Sequence, residues 1–307
     1  MEKTNNIIIQ TVKSKVIYII FATLLSYIFI ACSNEENSDN SDYLTLGTFN
    51  CEWLGDGVKD INPRTEIDYK NMADIISNLK SDIIGLEEVE NNEAIQRLTK
   101  YLDDYDYFVG KESGDQNPAL LYKKNINVDF IKYIYELEVE PGKTKPGILF
   151  QIKKGNFDWL MMVVHLKSTS RYDSTEQLQQ LSRELRSKQA SALSNWIDSV
   201  LTVSKEKDLI IVGDFNDYPN RKTEPTLTAL VENPNIEFLS SGLKSCKYDY
   251  LNSIDHIIVS KSSKNRYLAN SIRMYNFFDS IPLEQAEKIS DHCPVVATFN
   301  ISLHDND

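Results

Sequence analysis

From Tyr43 onward, apolar and polar positions fall into short runs that switch between two periods. Alternating or continuous apolar runs predict strands at 44–50, 82–88, 105–110, 119–123, 128–135, 148–152 and 159–165. Further strands are predicted at 209–213, 254–259, 271–275 and 294–300. Other segments carry the helical period. Met72, Ile75, Ile76 and Leu79 place a helix over 69–79, and a second is predicted at 92–101. A long third helix is expected at 174–201, with Leu178, Leu181, Leu185, Ala192, Trp196 and Val200 as its apolar stripe. Arg183, Arg186 and Lys188 are expected on its exposed face. Strands with helices interspersed predict an α/β protein whose packed sheets are covered by helices.

The N-terminal pattern is different. Lys3, Lys13 and Lys15 precede an apolar run from Val16 to Ala31. That run is shorter than the roughly 20 residues a spanning helix needs, and its basic flank reads as a signal peptide. Ala31 directly before Cys32 resembles a bacterial lipobox, in which the cysteine is lipidated and becomes the new N-terminus. Ser33 to Asp42 is rich in Asn, Ser, Asp and Glu and cannot bury apolar area, so it is expected to be a tether. The expected organisation is therefore a signal peptide (1–31), a tether (32–42) and one catalytic domain (43–303). The expected location is the cell envelope of a Gram-negative bacterium, lipid-anchored at the outer membrane or cell surface.

Charge narrows the partners. The chain has 33 Lys+Arg against 45 Asp+Glu, a net charge of −12. Residues 1–31 hold three lysines and one glutamate, so the remainder has 30 basic against 44 acidic residues. That balance does not favour tight, nonspecific nucleic-acid binding, although metal-binding carboxylates contribute to it. Beyond Cys32, three cysteines remain at Cys51, Cys246 and Cys293. Three cannot all pair within one chain, and no disulfide framework follows. Cys51 and Cys293 both lie next to candidate site residues, which leaves two readings: neighbours in space that could pair, or two small buried thiols.

The chemistry-bearing residues gather at predicted strand ends. Asn50 ends the first strand, Glu87 and Glu88 the next, and His165 another. Asp214 and Asn216 follow Gly213 after a very apolar strand, while Asp255 and Asp291–His292 precede two more. Strand ends along one edge are where sites are assembled. Hard oxygen donors without Cys/His zinc spacing suit Mg²⁺ or Mn²⁺, with Ca²⁺ as a further option.

Six segments occur in a telling order: Thr48-Phe49-Asn50, Ile84 to Glu90, His165-Leu166-Lys167-Ser168, Gly213 to Asp217, Ile254-Asp255-His256 and Ser290 to Val295. Together they resemble the endonuclease/exonuclease/phosphatase superfamily, over nearly all of the chain after the tether. The resemblance implies a four-layer αββα sandwich and a metal-dependent phosphoester hydrolase. It implies a catalytic His292 oriented by Asp255, with Asp214 and Asn216 positioning water and phosphate. His165 matches a second histidine of the deoxyribonuclease-like and sphingomyelinase-like branches. Glu88 matches the metal-binding glutamate, with Asn50 beside the metal and Asp291 as a further ligand. Lys167 and Arg171 follow His165 and are candidates to meet substrate phosphate. One departure is Glu87, where the family usually has glutamine. Adjacent strand residues face opposite ways, which leaves two readings: Glu87 points away from the metal and is a structural change only, or it points in and alters metal affinity and the pKa of its neighbours. His256, next to Asp255, is expected to face away from the site for the same reason. His304, in the polar tail, is expected to play no part.

The expected activity is hydrolysis of phosphodiesters in DNA or RNA by an extracellular nuclease, acting as a monomer that touches the membrane only through its lipid. The alternatives are a phosphatase or sphingomyelinase-like enzyme and a non-catalytic surface-binding lipoprotein.

Overall fold

The computed structural model describes residues 42–111, 114–170 and 172–307. Cys32, the signal peptide, nearly all of the tether and Arg171 lie outside the described residues. Among the described residues, no helix is long and apolar enough to cross a membrane.

Two six-stranded sheets form the centre. The first contains β1 (Tyr43–Leu54), β2 (Ile83–Val89), β3 (Tyr105–Val109), β4 (Asn117–Lys123), β11 (Arg273–Met274) and β12 (Val295–Asn300), in the order β11-β12-β1-β2-β4-β3. The second contains β5 (Asn127–Ile134), β6 (Gly147–Lys154), β7 (Phe157–His165), β8 (Leu209–Asp214), β9 (Ile236–Phe238) and β10 (Asp255–Ser260), in the order β5-β6-β7-β8-β10-β9. In each sheet one central pair is parallel, β1 with β2 and β7 with β8. The four strands of these two pairs all end at the same edge of the sandwich, where the site described below is assembled.

Helices α1 (Glu66–Leu79) and α2 (Asn92–Thr99) cover the outer face of the first sheet. Helix α3 (Glu176–Val203) covers the second. The result is the expected αββα sandwich. The starts of α1 and α2 are capped in different ways. Thr65 and Asp68 form a capping box at α1, and the Asn91 Oδ1 accepts from the Ala94 N–H at 2.9 Å at α2.

Strand parity explains the core. Leu44 and Leu46 of β1 enter the layer between the sheets, whereas Phe49 and Cys51 face α1 and α2. In β7, β8 and β10, Trp159, Met161, Val163, Ile210, Val212, Ile257 and Val259 share that central layer. Gly85 leaves room for side chains of the facing sheet. A Cβ there would lie 2.6 Å from Val212 Cγ2 and 3.1 Å from Val163 Cγ1.

Several expectations need correction. Leu178 and Leu181 are exposed, while Ser182, Arg186 and Gln189 are buried on α3. Arg186 turns inward because its guanidinium donates to the Lys167 carbonyl at 2.6 Å and to Thr226 Oγ1 at 2.8 Å. The buried stripe of α3 is therefore partly polar, which an apolar-periodicity reading misses. A seven-residue helix, α4 (Leu283–Ile289), and the short strand β9 were not expected. Cys293 is not a free thiol: it is bonded to Cys246, and Cys51 alone is free and buried among the described residues.

Candidate active site

Parity places the site. Asn50 has the parity of Leu44 and Leu46, His165 that of Met161 and Val163, and Asp214 that of Ile210 and Val212. Asp255 likewise shares the parity of Ile257 and Val259. The apolar layer between the sheets thus ends in a polar layer of Asn50, His165, Asp214 and Asp255, each at most 8% exposed.

Backbone irregularities aim the remaining groups. Glu52, Trp53, Glu88 and Asn216 have φ of 46°, 61°, 61° and 54°. Left-handed conformations at non-glycine residues cost about 1–3 kcal/mol each and need surrounding support. Arg64 supplies part of it. Its Nη2 donates to the carbonyls of Cys51, Glu52 and Ile289 at 2.8, 2.9 and 2.9 Å, and its Nε to that of Lys288 at 2.8 Å. Arg64 thereby ties the end of β1 to the end of α4, directly before Asp291 and His292. Ser290 adds a second tie, donating to the Asn50 carbonyl at 2.7 Å and accepting from the His292 N–H at 3.0 Å.

The Asn50 Nδ2 donates to Asp214 Oδ2 at 3.1 Å and to Glu88 Oε1 at 3.4 Å. Asn216 Nδ2 also donates to Asp214 Oδ2, at 3.0 Å, and to the Leu166 carbonyl at 3.0 Å. His165 Nε2 lies 3.8 Å from both Glu88 Oε1 and Asp214 Oδ2. Opposite them, His292 Nδ1 lies 2.9 Å from Asp255 Oδ2. Asp291 is more exposed, with its Oδ1 3.8 Å from His292 Nε2. The structure therefore brings together the seven catalytic and metal candidates other than Asp291 within one hydrogen-bonded layer or its imidazole pair, and places Asp291 at the rim. Lys167 lines the adjoining recess.

Burial separates the two imidazoles. Burial, with Lys145 next, holds His165 well below the ordinary histidine value. Burial also acts to lower His292, but Asp255, then Asp214 and Asp291, outweigh it and hold this ring well above 6.5. Asp214 is pushed up to about 7 by burial, with His292 opposing and Asp255 adding to the rise.

Glu87 keeps the face of Asn50, its register partner, and points into the layer between the sheets, while the positive φ of Glu88 turns that carboxylate to the site. Glu87 is fully buried under the site, where its Oε1 accepts from Thr48 Oγ1 at 2.8 Å. Burial holds its carboxyl well above the usual carboxylate range. His256 faces away, as expected. It is buried between Ser240 Oγ at 2.8 Å and the Asp217 carbonyl at 3.0 Å.

Gln116, Lys145, Arg64 and Ser290 are site residues that the sequence reading missed. Gln116 donates to Glu88 Oε2 at 2.8 Å, and the Lys145 Nζ lies 3.3 Å from His165 Nδ1. Both come from loops with no readable motif.

Two recesses flank the layer. One, of about 380 Å³, is lined by Glu88, His165, Lys145, Lys167, Trp53 and Tyr172 among others. The other, of about 300 Å³, is lined by Asp255, Asp291, His292, Lys247 and Tyr248 and by both cysteines of the disulfide. The donor set also fits a hard divalent cation. Glu88 and Asp214 converge on the Asn50 amide, and Asp214, Asp255 and His292 each offer a ligand atom within 4.8 Å of the others.

Residues 49–282 match the sequence profile of the Endonuclease/Exonuclease/phosphatase family, and the chain belongs to that family. It is a phosphoester hydrolase of a metal-dependent class. No curated protein matches the chain. Among solved structures, D. rerio TDP2 complexed with single-strand DNA product is 17% identical, with a TM-score of 0.60 over 84% of this chain and 99% of that one. The human Nocturnin catalytic domain with bound sulfate is 16% identical, with a TM-score of 0.57 over 84% and 94%. The mannosyl-6-phosphatase of Bacteroides thetaiotaomicron is 16% identical, with a TM-score of 0.55 over 83% and 98%. At these identities the likeness is one of fold.

Proposed function

We propose that this chain is a phosphodiesterase that cuts nucleic-acid strands outside the cytoplasm. The observation that carries this reading is the position of the polar layer between two recesses, each reaching part of it. A diester has a substituent on both sides of phosphorus and needs room for both. A monoester needs room for one. Each recess also offers an aromatic side chain beside a lysine: Trp53 and Tyr172 with Lys167, and Tyr248 with Lys247. Aromatic faces stack bases and lysines meet phosphates, which suits an unpaired DNA or RNA strand. The single-strand DNA product bound to the TDP2 relative fits the same class.

In this reading Glu88 and Asn50, with Asp291 at the rim, would hold a divalent ion. That ion, Mg²⁺ or Mn²⁺, would offset the charge that develops on phosphate. The chain's own groups do the rest. Asp255 holds the His292 ring with its N–H on Nδ1, leaving Nε2 to take a proton from the attacking water. Asn216 and Asp214 position that water and the phosphate, and Asn216 does so without adding charge. His165 faces the opposite side of the layer and donates to the phosphate. Water attacks phosphorus directly, the P–O bond to the leaving oxygen breaks, that oxygen takes a proton from solvent, and no covalent intermediate forms.

A secreted, lipid-anchored location is part of the proposal. The Cys246–Cys293 disulfide supports it, because such bonds persist in oxidising compartments. Cys32 is the proposed lipidation site. The substrate reading is tested by offering oligonucleotides, a nucleoside monophosphate, mannose 6-phosphate and sphingomyelin in parallel. Faster turnover of oligonucleotides supports it, and turnover of monoesters or sphingomyelin alone overturns it.

A further inference from the structure

Lys145 has no role in the chemistry above, yet it sits behind a reacting imidazole. It stands two residues before β6. Its Nζ lies 3.3 Å from His165 Nδ1 and donates to the Gln116 carbonyl at 2.7 Å. Gln116 in turn donates from its own side chain to Glu88 Oε2 at 2.8 Å. One lysine therefore joins the loop carrying Gln116, the end of β7 and, through Gln116, the Glu88 carboxylate.

Hydrogen-bond roles follow from that contact. An ammonium has three N–H donors and no lone pair. Burial lowers the Lys145 amine to about 8, so below that pH it is an ammonium, and a ring nitrogen facing it must accept: His165 Nδ1 bears no proton and the ring N–H lies on Nε2. Nε2 is the nitrogen turned to the centre, 3.8 Å from Glu88 Oε1 and Asp214 Oδ2. His292 has the opposite arrangement. A carboxylate stands behind its Nδ1, which places the proton there and leaves Nε2 an acceptor. Two imidazoles face one centre with opposite polarity because their partners have opposite charge.

We propose that Lys145 is a positioning residue that fixes His165 as the neutral Nε2–H tautomer, so that Nε2 donates a hydrogen bond to an oxygen of the bound phosphodiester. The last clause rests on the phosphodiesterase reading, whereas the tautomer does not. No proton need be transferred for this role. A fixed donor aimed at developing oxyanion charge lowers the barrier by itself.

The test is a ¹⁵N–¹H correlation of the histidine side chains in the purified protein, with His165→Gln to assign the ring. A protonated Nε2 with a bare Nδ1 on His165 is the expected result, retained in Lys145→Arg and lost in Lys145→Met. A proton on His165 Nδ1 in the unaltered protein overturns the proposal, and so does an unchanged tautomer in a folded Lys145→Met. This readout needs no substrate, so it stands whether or not oligonucleotides are cut. Kinetics supply the second arm. Lys145→Met should lower kcat on an oligonucleotide by up to about 100-fold, within the loss for one fixed donor, with little change in KM. The Lys145→Met/His165→Ala double variant should be no slower than His165→Ala alone. A further full loss in the double variant would show that Lys145 acts independently of His165 and would overturn the proposal.

Discussion

The Cys246–Cys293 bond should be the largest single constraint on the edge that carries His292. The two cysteines are 47 residues apart in sequence, and Cys293 directly follows His292. Opening the bond frees a loop of that length in the unfolded chain. The chain-entropy relation then gives a loss of about 4 kcal/mol at 25 °C. For a domain of this size that loss corresponds to a Tm roughly 8 °C lower. Cys293 is 1% exposed, so substitution there would also disturb packing; Cys246→Ser is the cleaner perturbation. Thermal unfolding of the oxidised protein, the reduced protein and Cys246→Ser should show both altered forms melting together, well below the first. Activity measured far below the melting range should also fall, because the strand that begins after His292 loses its covalent tie to the loop containing Tyr248. Equal melting temperatures for all three samples would refute the closure argument. Melting that shifts with activity unchanged would refute the link to His292.

Four further outcomes follow from the geometry. Asp255→Asn should lower kcat by roughly 10²- to 10⁴-fold with the fold intact, because the His292 ring loses the charge that orients it. The same variant should alter the pH profile. In the unaltered protein, burial opposes but Asp255 and its neighbours raise the His292 pKa well above 6.5, so activity should climb on the alkaline side of that value, and Asp255→Asn should move the climb to lower pH. Gly85→Ala should cost about 1–3 kcal/mol in urea unfolding, because its Cβ meets Val212 Cγ2 at 2.6 Å in the layer between the sheets. Glu206, far from the site at the other end of β8, is raised to about 8 chiefly by burial. Its folded pKa exceeds its unfolded one, so its contribution is full below about 4.5 and is lost as pH rises through 8. Glu206→Gln should therefore raise Tm at pH 9 more than at pH 5.

The alternation of apolar residues made the sandwich legible, because a strand between two packed layers must bury both faces. It also made the site legible: Asn50, His165, Asp214 and Asp255 continue the parity of the apolar positions before or after them. The same rule misleads at Glu87 and Glu88: Glu87 has the parity of the layer between the sheets, and Glu88 reaches the site only because its positive φ re-aims it, which is written in no periodicity. Arg186 was misplaced because an arginine at a helical position reads as solvated until the groups it meets are known. Those partners, the Lys167 carbonyl after β7 and the Thr226 hydroxyl after β8, are brought there only by packing. Lys145 and Gln116 were hidden for the same reason. They come from loops 138–147 and 110–118, whose sequences match no motif and whose side chains gain meaning only beside His165 and Glu88. The disulfide was missed because three cysteines gave no rule for choosing a pair. The charge of the chain pointed away from tight nucleic-acid binding, and the lysines that matter are few and local to the recesses.

The central claim is that the layer between the sheets hydrolyses phosphodiesters with His292 as its base. The most direct measurement is cleavage of single-stranded DNA and RNA oligonucleotides by the purified protein and by His292→Ala, each with Mg²⁺ or Mn²⁺ and with EDTA. Cleavage that requires the metal and falls by at least about 100-fold in a folded His292→Ala is the predicted result. Cleavage that persists in His292→Ala, or no cleavage of any phosphodiester by the unaltered protein with metal, would contradict it.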